Sequence, residues 1–251
     1  MRFKGIKLLG LFTIALGVMA VGASVAQALE LDPIKDLEPI KGIWSVNKQS
    51  IISPLLPEVQ VVELEKKEGV ILTKSGLSKL EFTCTSVEYL DALLHPSGGT
   101  SIKAIHLRGC TLKLGGVEQK ACVPSSPDTA EASGVVTILN VTSQVYLHLV
   151  YNEKDKPISE EVIELVVPEG GVGGTFVELR YPKGCSLTAT KITGVIAFKD
   201  CEKLFLEEKA IHLFVEGPLS NLKYGTNLMV LDGGVTVRLV GGHLNQTWSA
   251  H

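Results

Sequence analysis

Four histidines in this chain share a neighbour: His106, His148, His212 and His243 are each followed by Leu. The first three sit in apolar runs as Ile-His-Leu, Leu-His-Leu and Ile-His-Leu. Imidazoles at matching positions of adjacent strands could converge on one metal ion and leave a coordination position open to water, the arrangement of a metal-dependent hydrolase. The plainer alternative puts each histidine on the polar face of an amphipathic strand while its apolar neighbours enter the core. We prefer the plainer one, because nothing in the spacing aligns three distant strands and no carboxylate is fixed where it would orient the rings. Neither a metal nor any other cofactor is expected.

Cysteine offers the other reactive side chain. Cys84, Cys110, Cys122, Cys185 and Cys201 are separated by 26, 12, 63 and 16 residues, with no CxxC pair and no match to a zinc module. Disulfides are therefore expected. The short loops suggest Cys110 with Cys122 and Cys185 with Cys201, leaving Cys84 as the odd thiol. The alternative joins Cys84 to Cys110 and leaves Cys122 free, and the spacing does not choose between them.

Common catalytic signatures are missing. Gly170, Gly171, Gly173 and Gly174 suggest a phosphate loop, but Phe176 stands where GxGxxG needs its third glycine, and no Gly-Lys-Ser or Gly-Lys-Thr follows. Neither G-x-S-x-G nor H-E-x-x-H occurs. Glu160-Glu161 and Glu207-Glu208 are adjacent pairs that a strand points to opposite faces, so neither pair can serve one bond. No catalytic residue is expected, and the chain is not expected to be an enzyme.

The elements that would position these residues begin with a leader. Arg2, Lys4 and Lys7 precede an uncharged, mostly apolar run from Leu8 to Val25 that closes on Ala26-Gln27-Ala28. This is the pattern of a signal peptide cleaved after Ala28, and it predicts a secreted or cell-envelope protein with no transmembrane span in the mature chain. The 24 basic and 27 acidic residues give a net charge of −3. Residues 1–28 hold three of the basic and none of the acidic ones, so the remainder carries 21 against 27, a net −6. Without a basic block, nucleic acid and anionic membranes are not expected partners. Aromatic residues are 6% of the chain, too few for a stacking platform. The two tryptophans, Trp44 and Trp248, lie near the ends of the mature region and suggest that those ends are ordered and close together.

Residues 29–50 are expected to form an extended arm. Leu31-Asp32-Pro33-Ile34-Lys35 is nearly repeated by Leu37-Glu38-Pro39-Ile40-Lys41, and the prolines exclude both a helix interior and a central strand. The regular Leu31, Ile34, Leu37 and Ile40 are candidates for docking on a second copy by strand addition. From residue 51 to 251, short β-rich runs alternate with turn signals, which predicts a single all-β domain, an antiparallel sandwich or barrel. The glycine cluster at 170–174 is its one candidate seam. Gly-Val recurs at strand starts, at Gly69, Gly134, Gly194 and Gly234. One short helix is expected after Thr85-Ser86-Val87-Glu88, which has capping-box spacing and precedes Leu90, Leu93, Leu94 and Pro96.

Gly109-Cys110, Cys122-Val123-Pro124-Ser125-Ser126-Pro127, Ser133-Gly134-Val135-Val136, Gly184-Cys185 and Thr193-Gly194-Val195-Ile196 together resemble a group of exported actinobacterial proteins. The resemblance implies an exported β-rich protein and no particular activity. Three functions follow, in order of preference. The first is a non-catalytic structural component that self-associates through sheet edges or the arm. The second is a binding module for a small apolar ligand or a glycan, marked by a cavity lined by inward residues of strands at 135–151 and 192–215. The third is the metal-dependent hydrolase.

Overall fold

Alternating apolar residues give most of the described chain a strand conformation. A computed structural model describes residues 41–51, 56–64, 70–74, 79–151, 157–199, 209–214 and 220–250. The protein is all-β, and every strand pair among the described residues is antiparallel. Among the described residues, helical turns are limited to the 3₁₀ segments Gly171–Gly173 and Gly241–His243.

Eight strands close into a barrel: β3 (Glu58–Leu64), β6 (Ser86–Leu94), β7 (Gly99–Arg108), β10 (Val136–Tyr151), β11 (Pro157–Val167), β14 (Ile196–Lys199), β15 (Lys209–Phe214) and β18 (Gly234–Leu239). The order around the ring is β10-β11-β14-β15-β18-β3-β6-β7. At one end of the barrel each strand leads into a partner in a second sheet. That sheet contains β4 (Val70–Lys74), β5 (Leu80–Cys84), β8 (Thr111–Leu114), β9 (Val117–Glu118), β12 (Thr175–Leu179), β13 (Thr190–Thr193), β16 (Lys223–Tyr224) and β17 (Asn227–Asp232). Its order, β12-β13-β16-β17-β4-β5-β8-β9, repeats that of the barrel strands they adjoin. The molecule therefore has two tiers sharing one set of neighbours. At the opposite end, β1 (Trp44–Val46), β2 (Gln49–Ser50) and β19 (Trp248–Ala250) form a three-stranded clasp.

Glycine makes the sharpest crossings between tiers. Gly194, between β13 and β14, has φ 110°, and a Cβ there would lie 2.4 Å from the Asn221 carbonyl oxygen. Gly109, between β7 and β8, has φ 61°, and its Cβ would meet the Thr85 hydroxyl at 2.2 Å. Only glycine accepts both the left-handed backbone and the close approach. The recurring Gly-Val thus marks corners: Gly134 has φ 65° just before β10, and Gly233 with φ 118° precedes Gly234 at the start of β18. Gly69 lies outside the described residues.

The helix expected after Thr85 is instead strand β6. The two capping residues pair across to β7: the Thr85 backbone N–H and hydroxyl both donate to the Arg108 carbonyl oxygen, at 3.0 and 3.4 Å, and Glu88 accepts from the Arg108 guanidinium at 3.1 Å. The leucine spacing misled because inward residues change parity within the strand, from Val87 and Tyr89 to Ala92 and Leu94. The change falls at Asp91, which has φ 48°. Asn140 in β10 has φ 52° and does the same, so the runs expected at 135–139 and 145–151 form one bent 16-residue strand. Asp and Asn tolerate this conformation better than other side chains. Within the segment expected as an arm, residues 44–46 and 49–50 are pinned in the clasp. The glycine cluster at 170–174 is the 3₁₀ turn that leads from β11 to β12.

Candidate functional site

Inward residues of the barrel do not fill it. They enclose a cavity of about 100 Å³, and Val136 and Ile138 of β10 with Ile192, Ile196 and Phe198 of β13 and β14 belong to its wall. The upper end is formed by second-tier residues, among them Phe82, Phe176, Leu222 and Leu231. Trp44 and Trp248 line the lower end. Their rings lie 5.5 Å apart at 48°, and the Trp44 indole N–H donates to the Gly99 carbonyl oxygen at 3.1 Å. Trp44↔Ala250 and Val46↔Trp248 register brings the two indoles together from opposite ends of the described chain.

One patch of this wall is polar. On β11, Val162, Glu164 and Val166 share the inward face, while Ile163 and Leu165 pack outside with Val195 and Ala197. Glu164 is 6% exposed and lines the cavity. Thr100 and Ser143, register partners on β7 and β10, both donate their hydroxyls to Glu164 Oε1, Thr100 at 3.2 Å. Two hydroxyl donors on one oxygen suit an ionised carboxylate held inside an apolar shell. Tyr89 of β6 also lines the cavity. Burial raises its phenol pKa well above the usual 10.0, and the nearby Glu164 charge raises it further, so the hydroxyl stays a neutral donor. The side chain is half-buried.

Sequence reasoning missed Glu164, Thr100, Ser143 and Tyr89. Alternation pointed the other way: in Val162-Ile163-Glu164-Leu165-Val166-Val167 the wholly apolar parity is Ile163, Leu165 and Val167, which places Glu164 on the outward face, and only the outer packing of Ile163 and Leu165 against Val195 and Ala197 turns it inward.

The three candidate metal histidines are not brought together. His106 on β7 is opposite Thr137 of β10, eleven residues along that strand from His148, or roughly 36 Å of chain at the usual rise. His148 is opposite Glu161 of β11, and His212 of β15 is opposite Val235 of β18. The His106 ring faces outward, 3.8 Å from Glu88 and beside Arg108.

Cysteine pairing differs from the expected short loops. The disulfides are Cys84–Cys110 and Cys122–Cys185, spanning 26 and 63 residues. Cys84 is therefore not an odd thiol, and neither Cys110–Cys122 nor Cys185–Cys201 forms. The reason is register: Thr83↔Thr111 pairing of β5 with β8 sets Cys84 directly opposite Cys110. Cys122 follows β9 and Cys185 follows β12, so their bond ties together the two outer strands of the second sheet. Beside it, Ser125 and Arg180 exchange both backbone hydrogen bonds, at 2.9 and 2.8 Å. Cys201 and the docking candidates Leu31, Ile34, Leu37 and Ile40 lie outside the described residues.

No family model, curated protein or solved structure matches this chain. Among the described residues, no helix is long and apolar enough to cross a membrane.

Proposed function

We propose that this is an exported binding protein that holds one small, largely apolar molecule inside its barrel. The cavity of about 100 Å³ carries this reading. Protein cores normally pack without such voids, and one of this volume costs on the order of 2 kcal/mol relative to a filled core. Of the strands at 135–151 and 192–215 expected to line a ligand site, Val136, Ile138, Ile192, Ile196 and Phe198 belong to the wall, and most of it comes from other strands. Export is supported by the leader pattern ending at Ala28 and by two disulfides, which persist in oxidising compartments.

Self-association through sheet edges has less support from the geometry. The barrel has no edge strand, and the Ser125–Arg180 pairing with the Cys122–Cys185 bond ties the outer strands of the second sheet. A glycan fits poorly, because its many hydroxyls would meet a wall that is apolar outside one patch.

Both tryptophans line the cavity, so their emission reports its occupancy. Titrating the mature protein with toluene should shift that emission saturably and raise the melting temperature. Ala92→Leu, which fills the cavity, should remove both responses. An unchanged emission and melting temperature up to the solubility limit of toluene would sink the proposal.

A further inference from the structure

The geometry points to a ligand that carries a hydroxyl group, an alcohol or phenol whose oxygen lies between Glu164 and Tyr89 and whose apolar body reaches toward the second tier. This rests on the binding reading above and names the chemistry of its polar end. Glu164 is an acceptor: Thr100 and Ser143 already donate to it. Tyr89 is a donor that lines the same cavity. It is placed to meet an acceptor on what occupies that cavity.

The pair discriminates among polar groups. An ammonium would satisfy Glu164 but has no lone pair for Tyr89. A carboxylate would accept from Tyr89 but be repelled by Glu164. A ketone would accept from Tyr89 and offer the carboxylate nothing. A hydroxyl both donates and accepts, and so serves Glu164 and Tyr89 together. Because Thr100 and Ser143 lie at the end of the barrel where Trp44 bonds Gly99, the polar end sits near the tryptophans. The opposite end meets only apolar side chains such as Phe82, Phe176 and Leu231.

Toluene and phenol have the same shape and differ in this group alone. Titrated into the mature protein and followed by tryptophan emission and calorimetry, phenol should bind at least about tenfold more tightly than toluene. Tyr89→Phe, which removes one oxygen, should lower phenol affinity about tenfold and leave toluene affinity unchanged, and toluene binding doubles as the check that the variant is folded. Glu164→Gln should also erode the preference. If toluene binds and phenol binds no better, or Tyr89→Phe leaves phenol affinity intact, the hydroxyl inference is overturned while the binding reading stands. If neither probe binds the intact protein, the binding reading itself fails and takes this inference with it.

Discussion

The two tiers share strand order but are held together differently. Barrel strands such as β10, β11 and β7 run for 16, 11 and 10 residues, and the ring closes strand to strand by continuous antiparallel pairing. Second-tier strands run from two to six residues, and the circuit there is completed by a disulfide and a single bridge. Short strands bury too little to be stable independently. Cross-links substitute for length, and the longer tier is left free to leave its interior unfilled.

The largest test breaks the staple. Replacing Cys122 and Cys185 together with Ala releases a loop of 63 residues, which chain-entropy arithmetic puts at about 4 kcal/mol. For a chain of this size that lowers the melting temperature by roughly 10 °C. Hydrogen exchange should quicken in β8, β12 and β13 well before β7 and β10. Uniform loss of protection in both tiers would show that they unfold as one unit and that the contrast between them is only geometric.

A smaller effect is expected at the corners. Gly194→Ala forces a side chain into φ 110° and against the Asn221 carbonyl oxygen, at a cost of about 3 kcal/mol. Gly116, in the two-residue hairpin between β8 and β9, has φ 82° with nothing near its Cβ position, and Ala there should cost about 1 kcal/mol. Equal melting temperatures for the two variants would mean that the corner is no tighter than a surface turn.

Corners and strands were legible in the sequence in part: glycine before valine marked strand starts, and alternation marks a face. The all-β class and a single antiparallel architecture followed from that. Parity was not legible where Asp91 and Asn140 shift it, which is why Leu90, Leu93 and Leu94 read as a helix. Disulfide connectivity was illegible too, because Cys84 faces Cys110 only once β5 lies beside β8. The polar patch assembles from Tyr89, Thr100, Ser143 and Glu164 on four strands, and local patterning carries no register between them.

Cavity filling sharpens the comparison from the barrel side. Ala92 is fully buried and lines the cavity. Ala92→Leu adds apolar volume where there is room, so stability should rise by about 1 kcal/mol while toluene binding is lost. Loss of both together would indicate that the barrel interior is already packed.

The smallest effect is in alkaline solution, and it separates one tyrosine in the barrel from one beside the second tier. Tyr89 is raised above its ordinary 10.0 by burial and then by Glu164. Tyr181 is also raised above 10.0, by burial and then by its hydrogen bond to Tyr224, 3.0 Å away. In both cases the unfolded chain releases the phenolic proton first. Their contribution to stability is therefore complete below pH 10.0 and declines as the pH rises above it. Denaturant melts across that range should show a shallower decline for Tyr89→Phe and Tyr181→Phe than for the intact protein. Cyclohexanol, an alcohol that does not itself titrate in this range, should act on only one of them: bound beside Tyr89, it adds a further reason for that hydroxyl to keep its proton, steepening the alkaline decline of the intact chain and of Tyr181→Phe but not of Tyr89→Phe. A cyclohexanol effect that survives in Tyr89→Phe would place the bound oxygen elsewhere in the barrel.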